Sequence, residues 1–111
     1  MAGDLRLIVI PRYGVGKDAD WYGWLEGKLK ARNKFPLGEC VFCELRPEPS
    51  APTIAASVKH LKEIMGDDED ALANTGLIGH SLGAQVALRA IAELEEGTRV
   101  AGVLAVAGWL K

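Results

Sequence analysis

Residues 77–83 read LIGHSLG, a serine framed by two glycines directly behind an apolar run. The pattern G-x-S-x-G between a buried strand and a helix is typical of a nucleophile elbow, a sharp turn that lifts a serine hydroxyl above the sheet. Gly79 and Gly83 leave room where larger side chains would strike the neighbouring strand or helix. The stretch therefore predicts a strand, a turn and a helix in succession, with Ser81 at the turn.

Strands and helices alternate on both sides of this turn. Apolar runs predict strands at residues 5–10, 40–45, 75–78 and 99–107, and helical periodicity predicts helices at 21–32, 53–66 and 82–95. Asp20 is the expected cap of the first helix, and the acidic run at 67–70 is expected to form a surface loop that continues into one helical turn at 71–73. The order βαβαβαβ predicts an α/β fold, a three-layer αβα sandwich around a parallel sheet of about four strands.

Length and charge narrow the class of protein. With 111 residues, 49% of them hydrophobic, residues 1–111 are expected to form a single globular domain. The formal net charge of −2 and the scattered Lys and Arg argue against nucleic acid and anionic membrane as partners. The apolar run at 7–10 is too short for a signal peptide, and no segment reaches the length of a membrane span. We expect a cytoplasmic protein.

Two cysteines form a C-x-x-C pattern, Cys40 and Cys43. On a strand, positions three apart face opposite sides of the sheet, whereas a redox pair starts at a helix N-terminus. A zinc site needs further ligands, and His60 and His80 are the two histidines of the sequence. We therefore expect ordinary reduced thiols, no metal site and no cofactor.

The predicted turn also supplies an oxyanion hole. The backbone N–H of Leu82 lies at the start of a helix, where the helix dipole helps it to stabilise an oxyanion. A second donor is expected from the loop PRYGVG after strand one, either the N–H of Tyr13, which we prefer, or that of Gly14. Two bland alternatives stay open. Glycines at strand-to-helix crossings occur throughout α/β folds, and His80 and Ser81 could merely cap the helix that follows. The glycines could also bind phosphate, although neither the P-loop spacing nor a complete G-x-G-x-x-G is present.

Three stretches carry a resemblance to a known family: IVIPRYGVG, DWYGWLEGKL and LIGHSLGAQVALR. They resemble the small serine hydrolases typified by retinoblastoma-binding protein 9, a compact branch of the α/β-hydrolase superfamily. The resemblance covers nearly the whole chain and rests mainly on WYGW at 21–24 and on the elbow at Gly79, His80 and Gly83. It implies a sheet with the strand order 2-1-3-4.

The resemblance also implies roles for individual residues. Ser81 would be the nucleophile that hydrolyses a small ester or amide, and Leu82 and Tyr13 would be the oxyanion donors. Trp21 or Trp24 would form part of the pocket wall, although bulky aromatic residues at helical spacing equally well pack on the sheet.

The triad is where the chain departs from this superfamily. A triad runs in the order Ser, Asp or Glu, His, but no Asp or His follows Ser81. His80 adjoins the serine, and its side chain leaves the turn in another direction, while His60 lies on an earlier helix. The glutamates at 93–96 lie roughly 18 Å along the helix axis from its start near Ser81, too far to reach the hydroxyl. The resemblance implies a truncated α/β-hydrolase fold, its N-terminal part, and a serine hydrolase-like protein that is weak or inactive alone. The alternative is a non-catalytic, hydrolase-derived binding protein.

Strand four would be an edge of this sheet, and its sequence is apolar and uncharged. Such an edge invites pairing with another chain. We expect a homodimer through strand four (Arg99 to Ala107), with Trp109 in the contact; the alternative is a monomer whose C-terminal residues cover the strand.

Overall fold

The computed structural model describes residues 5–31 and 37–107. Its elements follow in the order β1 (Leu5–Ile10), α1 (Tyr22–Lys30), β2 (Leu37–Phe42), α2 (Ile54–Met65), α3 (Glu69–Ala73), β3 (Thr75–His80), α4 (Leu82–Ala92) and β4 (Gly102–Val106). The four strands form a parallel sheet in the order β2-β1-β3-β4. The predicted α/β class, parallel sheet and strand order are therefore confirmed.

Strand β1 supplies side chains to both faces of the sheet. Ile8 and Ile10, each fully buried, pack into the cluster formed with α2, α3 and α4. Leu7 and Val9 point the other way, into a second cluster that contains Tyr22 of α1. Because successive side chains of a strand face opposite sides, one short apolar run holds both helical layers in place. The result is the three-layer αβα sandwich that the alternating pattern predicts.

Strand β2 lies earlier in the chain than the sequence predicts. It spans Leu37–Phe42, whereas the apolar pattern predicts residues 40–45. Cys43 and Leu45 follow the strand, and both are buried in the core on the α2 side. Their apolar character reflects this burial and not strand pairing. Cys40 packs on the α1 side and Cys43 on the opposite side, as expected for positions three apart.

The helices also differ from their predicted bounds. Helix α1 begins at Tyr22 and not at residue 21, and its N-cap is Trp21, with no side-chain hydrogen bond, in place of Asp20. Helix α4 ends at Ala92, three residues before the predicted end at residue 95. The acidic run starts a helix, because Asp68 caps α3 by accepting hydrogen bonds from the first N–H groups of that helix.

Strand β4 forms one edge of the sheet, as predicted, and it is shorter than the predicted 99–107. Val103 is 39% exposed and Leu104 is 57% exposed, so its apolar side chains face solvent among the described residues. Trp109, predicted to take part in a dimer contact, lies outside the described residues. None of the described helices combines the length and apolar character needed to cross a membrane.

Candidate active site

The turn between β3 and α4 holds Ser81 in an unusual backbone conformation. Its φ is 55° and its ψ is −115°, a region that side-chain-bearing residues rarely adopt. Such strain persists only where the surroundings hold the residue in place. Here the Ser81 N–H donates to the Val106 carbonyl at 2.8 Å, and the Ser81 carbonyl accepts from the Ala84 N–H at 2.9 Å. Strand β4 and helix α4 thus fix the turn from two sides.

The two glycines of the turn stand where no side chain fits. A Cβ on Gly79 would lie 2.5 Å from the Cα of Ala84 in α4. A Cβ on Gly83 would lie 2.6 Å from the carbonyl carbon of Ile10 and 2.6 Å from the carbonyl oxygen of Pro11. These obstacles are backbone atoms, which cannot rotate away. The glycines therefore allow α4 to approach the end of β1 closely, as the sequence predicts.

Ser81 lies at the N-terminus of α4 with its side chain half-buried. Its hydroxyl makes no hydrogen bond with the described residues. Leu82 is the first residue of α4, and the N–H groups of a first turn have no partner within the helix. The partial positive charge of the helix N-terminus therefore lies beside the Ser81 hydroxyl, where an oxyanion would be stabilised.

The loop between β1 and α1 is held by hydrogen bonds on both sides of Tyr13. The Arg12 N–H donates to the Tyr22 hydroxyl at 2.9 Å, and the Gly14 N–H donates to the Pro49 carbonyl at 2.8 Å. The Tyr13 hydroxyl itself donates to the Ser50 carbonyl at 2.6 Å. These bonds fix the loop and occupy the N–H of Gly14, the alternative oxyanion donor.

A polar network joins this loop to the elbow, and the sequence does not predict it. The Nδ1 atom of His80 lies 2.9 Å from the Tyr22 hydroxyl and 3.6 Å from Oδ2 of Asp20. Asp20 has a φ of 52° and binds the Arg12 guanidinium through both carboxylate oxygens, at 2.6 and 3.2 Å. That hydrogen bond from Arg12 lowers the pKa of Asp20, and burial raises the pKa of the Tyr22 phenol. No spacing rule links positions 12, 20, 22 and 80, so only the fold brings them together.

The two tryptophans proposed for the pocket wall differ in their surroundings. The Trp21 ring packs on the imidazole of His80, with centroids 5.3 Å apart, and on the ring of Tyr22, with centroids 4.8 Å apart. Trp24 is 65% exposed, and Nζ of Lys28 lies 5.9 Å from its ring. A core role therefore fits Trp21 but not Trp24.

Other polar candidates lie on helices outside the elbow. Nε2 of His60 on α2 lies 3.3 Å from Arg46, and Glu93, at the end of α4, binds Nζ of Lys62 at 2.8 Å. A surface depression of about 900 Å³ between α2 and α4 is lined by Lys62 and Glu93 and does not include Ser81. Within the described ranges, no three His, Cys, Asp or Glu side chains are grouped to hold a metal ion.

Comparison with known proteins places this chain in a family. The family model for serine hydrolases matches residues 7–110. No curated protein matches the chain. Among solved structures, the ydeN gene product from B. subtilis aligns with a TM-score of 0.80 at 24% identity, over 96% of this chain and 53% of that protein. At this identity the likeness shows the fold, and the chain spans about half the length of that solved relative.

Proposed function

The chain belongs to the serine hydrolase family, and we propose that it carries the nucleophile and the oxyanion hole of a site that hydrolyses small esters or amides. In this proposal Ser81 attacks the carbonyl carbon. The observation that carries it is the positive φ of Ser81 at the β3–α4 turn. A serine that merely caps a helix has an extended backbone and bonds to the first turn through its side chain, and Ser81 has neither feature.

The backbone N–H groups of Leu82 and Tyr13 are the proposed oxyanion donors. Leu82 contributes the free first-turn N–H of α4. On the loop side, the N–H groups of Arg12 and Gly14 are already donated, while that of Tyr13 has no acceptor among the described residues. Two such donors, held by backbone, would stabilise the charge that develops on the carbonyl oxygen during acyl transfer.

Hydrolysis by this chain alone is expected to be weak. No Asp or His follows Ser81 in the sequence, so the base and its carboxylate partner of a triad are missing from that part of the chain. Loss of a triad in a well-studied serine protease lowers turnover by about 10⁶-fold, and oxyanion donors and binding leave a rate about 10³–10⁴ times that in water.

The sequence WYGW at 21–24 resembles that of the small branch typified by retinoblastoma-binding protein 9, and it supports placing the chain in that branch.

A second function is a non-catalytic, hydrolase-derived binding protein. The placement of His80 favours it: among the described residues His80 bonds to the Tyr22 hydroxyl and not to Ser81, and a serine without a base is a poor nucleophile. Under this alternative the elbow serves only to pack α4 on the sheet. The exposed ring of Trp24, proposed above as pocket wall, would then contribute to binding of a ligand or of another protein.

The deciding experiment is reaction with a fluorophosphonate probe at neutral pH, with the adduct located by mass spectrometry. We expect slow labelling of Ser81 and no adduct at that position in Ser81→Ala. Ser57→Ala is the matched control, because it removes a buried hydroxyl that bonds to the backbone of Arg46 away from the elbow. It should label as the parent does. A folded sample without an adduct on Ser81 would refute the nucleophile role and favour the binding protein.

A further inference from the structure

The Tyr22 hydroxyl lies between the two segments that would form the oxyanion hole. Its oxygen is 2.9 Å from the Arg12 nitrogen in the β1–α1 loop and 2.9 Å from Nδ1 of His80 at the elbow. Arg12 precedes Tyr13, the proposed donor, and His80 precedes Ser81, the proposed nucleophile. Since Tyr22 is only 3% exposed, solvent has little access to this contact. One buried oxygen therefore connects the two halves of the site.

Proton counting limits the directions that these hydrogen bonds can take. The Arg12 N–H can only donate, so the Tyr22 oxygen accepts from it. The hydroxyl has one proton, which it donates to Nδ1 when the His80 ring is neutral and carries its own proton on Nε2. Once the ring gains a second proton, Nδ1 becomes a donor and can no longer accept. The hydroxyl must then turn its proton to another acceptor. The Asp20 carboxylate can take it, since it lies 3.6 Å from Nδ1 and interacts with the Tyr22 hydroxyl.

We propose that Tyr22 is a positioning residue that couples the protonation state of His80 to the position of the Tyr13 N–H. With a neutral ring that carries its proton on Nε2, the chain of bonds from Arg12 through Tyr22 to His80 runs in one direction and holds the loop against the elbow. Protonation reverses the last bond, so that the Tyr22 oxygen accepts from two donors at once and its bond to the Arg12 N–H weakens. The inference rests on the proposed function, because it concerns the donor that would bind the oxyanion.

Within residues 5–31 and 37–107, few charged or titratable groups face His80. Tyr22 comes from α1, while Asp20 and, through it, Arg12 come from the β1–α1 loop. The apolar face of the ring is covered by Trp21. Arg12 lowers the pKa of Asp20, so this carboxylate stays ionised where a histidine changes charge, between pH 5 and 8. A change in the Tyr13 amide that shares the midpoint of the His80 ring would therefore report on His80, and not on Asp20 or on His60.

The test is an NMR titration of the whole ¹⁵N-labelled chain from pH 5 to 8, which follows the His80 ring nitrogens and the Tyr13 amide. In the parent protein we expect both signals to share one midpoint. In Tyr22→Phe the ring should still titrate while the Tyr13 amide no longer follows it, and exchange of the Arg12 amide should rise by about fivefold or more. Ser57→Ala loses a buried hydroxyl that likewise accepts a backbone N–H, at 3.0 Å from Arg46, and it should keep the coupling.

Three outcomes would overturn the proposal. The first is a Tyr13 amide whose signal does not change with the protonation of His80 in the parent protein, a result that does not depend on any variant folding. The second is unchanged coupling in Tyr22→Phe. The third is an equal loss of coupling in Ser57→Ala. The titration needs no reaction at Ser81. Failure of the proposed function would appear separately, as a protein that takes no fluorophosphonate although its Tyr13 amide still follows His80.

Discussion

The close approach of α4 to β1 at Gly83 can be tested by adding one methyl group. In Gly83→Ala the new Cβ would lie 2.6 Å from the carbonyl carbon of Ile10 and 2.6 Å from the carbonyl oxygen of Pro11. Overpacking costs about 1–3 kcal/mol even where side chains can yield, and backbone atoms yield less, so we expect about 3 kcal/mol. The higher helix propensity of alanine returns about 0.5–1 kcal/mol. The net loss in the free energy of unfolding is therefore about 2 kcal/mol, or about 8 °C in the melting temperature of a chain of this size.

Gly27→Ala is the matched control, because a Cβ there meets no atom within 4 Å in the exposed middle of α1. It should raise the free energy of unfolding by about 0.5–1 kcal/mol. Urea unfolding and calorimetry of the parent and both variants measure the difference, which should reach about 3 kcal/mol between the two alanines. A Gly83→Ala protein as stable as Gly27→Ala would refute the argument, since it would show that the turn has room for a side chain.

Two further predictions concern the sheet edge and a buried thiol. The exposed edge at β4 predicts a homodimer at high micromolar concentration, which sedimentation velocity would detect. Leu104→Lys places a charge on a side chain that is 57% exposed at this edge, and it should shift the equilibrium toward monomer. A monomeric parent protein would contradict this. Burial raises the pKa of the Cys43 thiol to about 12. At pH 8 only roughly one molecule in 10⁴ therefore carries the thiolate, and alkylation should be slow until the chain unfolds. Rapid modification of Cys43 in the folded protein would contradict its burial.

Local patterns predict an element well where one cause dominates. The run of apolar residues in β1 is buried on both faces, and G-x-S-x-G requires a tight turn, so strand, turn and helix follow directly from the residues. The pattern at residues 40–45 fails because two causes overlap there. Cys43 and Leu45 are apolar because they lie in the core, yet the strand has already ended at Phe42. Hydrophobicity reports burial, and it does not report which backbone groups pair.

The network around His80 shows the opposite case. Asp20 has the residue type and the position of a helix cap, but its carboxylate binds Arg12 and lies 3.6 Å from Nδ1 of His80, and the N-cap of α1 is Trp21. Tyr22 appears in the sequence as an ordinary core aromatic, and its hydroxyl bonds to His80, 58 positions further along the chain.

The sequence by itself determined the class of fold and the serine at the turn, because both depend on residues that are neighbours along the chain, whereas the strand order came from the resemblance to a known family. Only the tertiary structure decided which N–H groups of the β1–α1 loop are already donated and what the side chain beside Ser81 contacts. Those features depend on β1, α1 and β3 meeting at one end of the sheet, and contacts between such distant segments leave no periodic trace in the sequence.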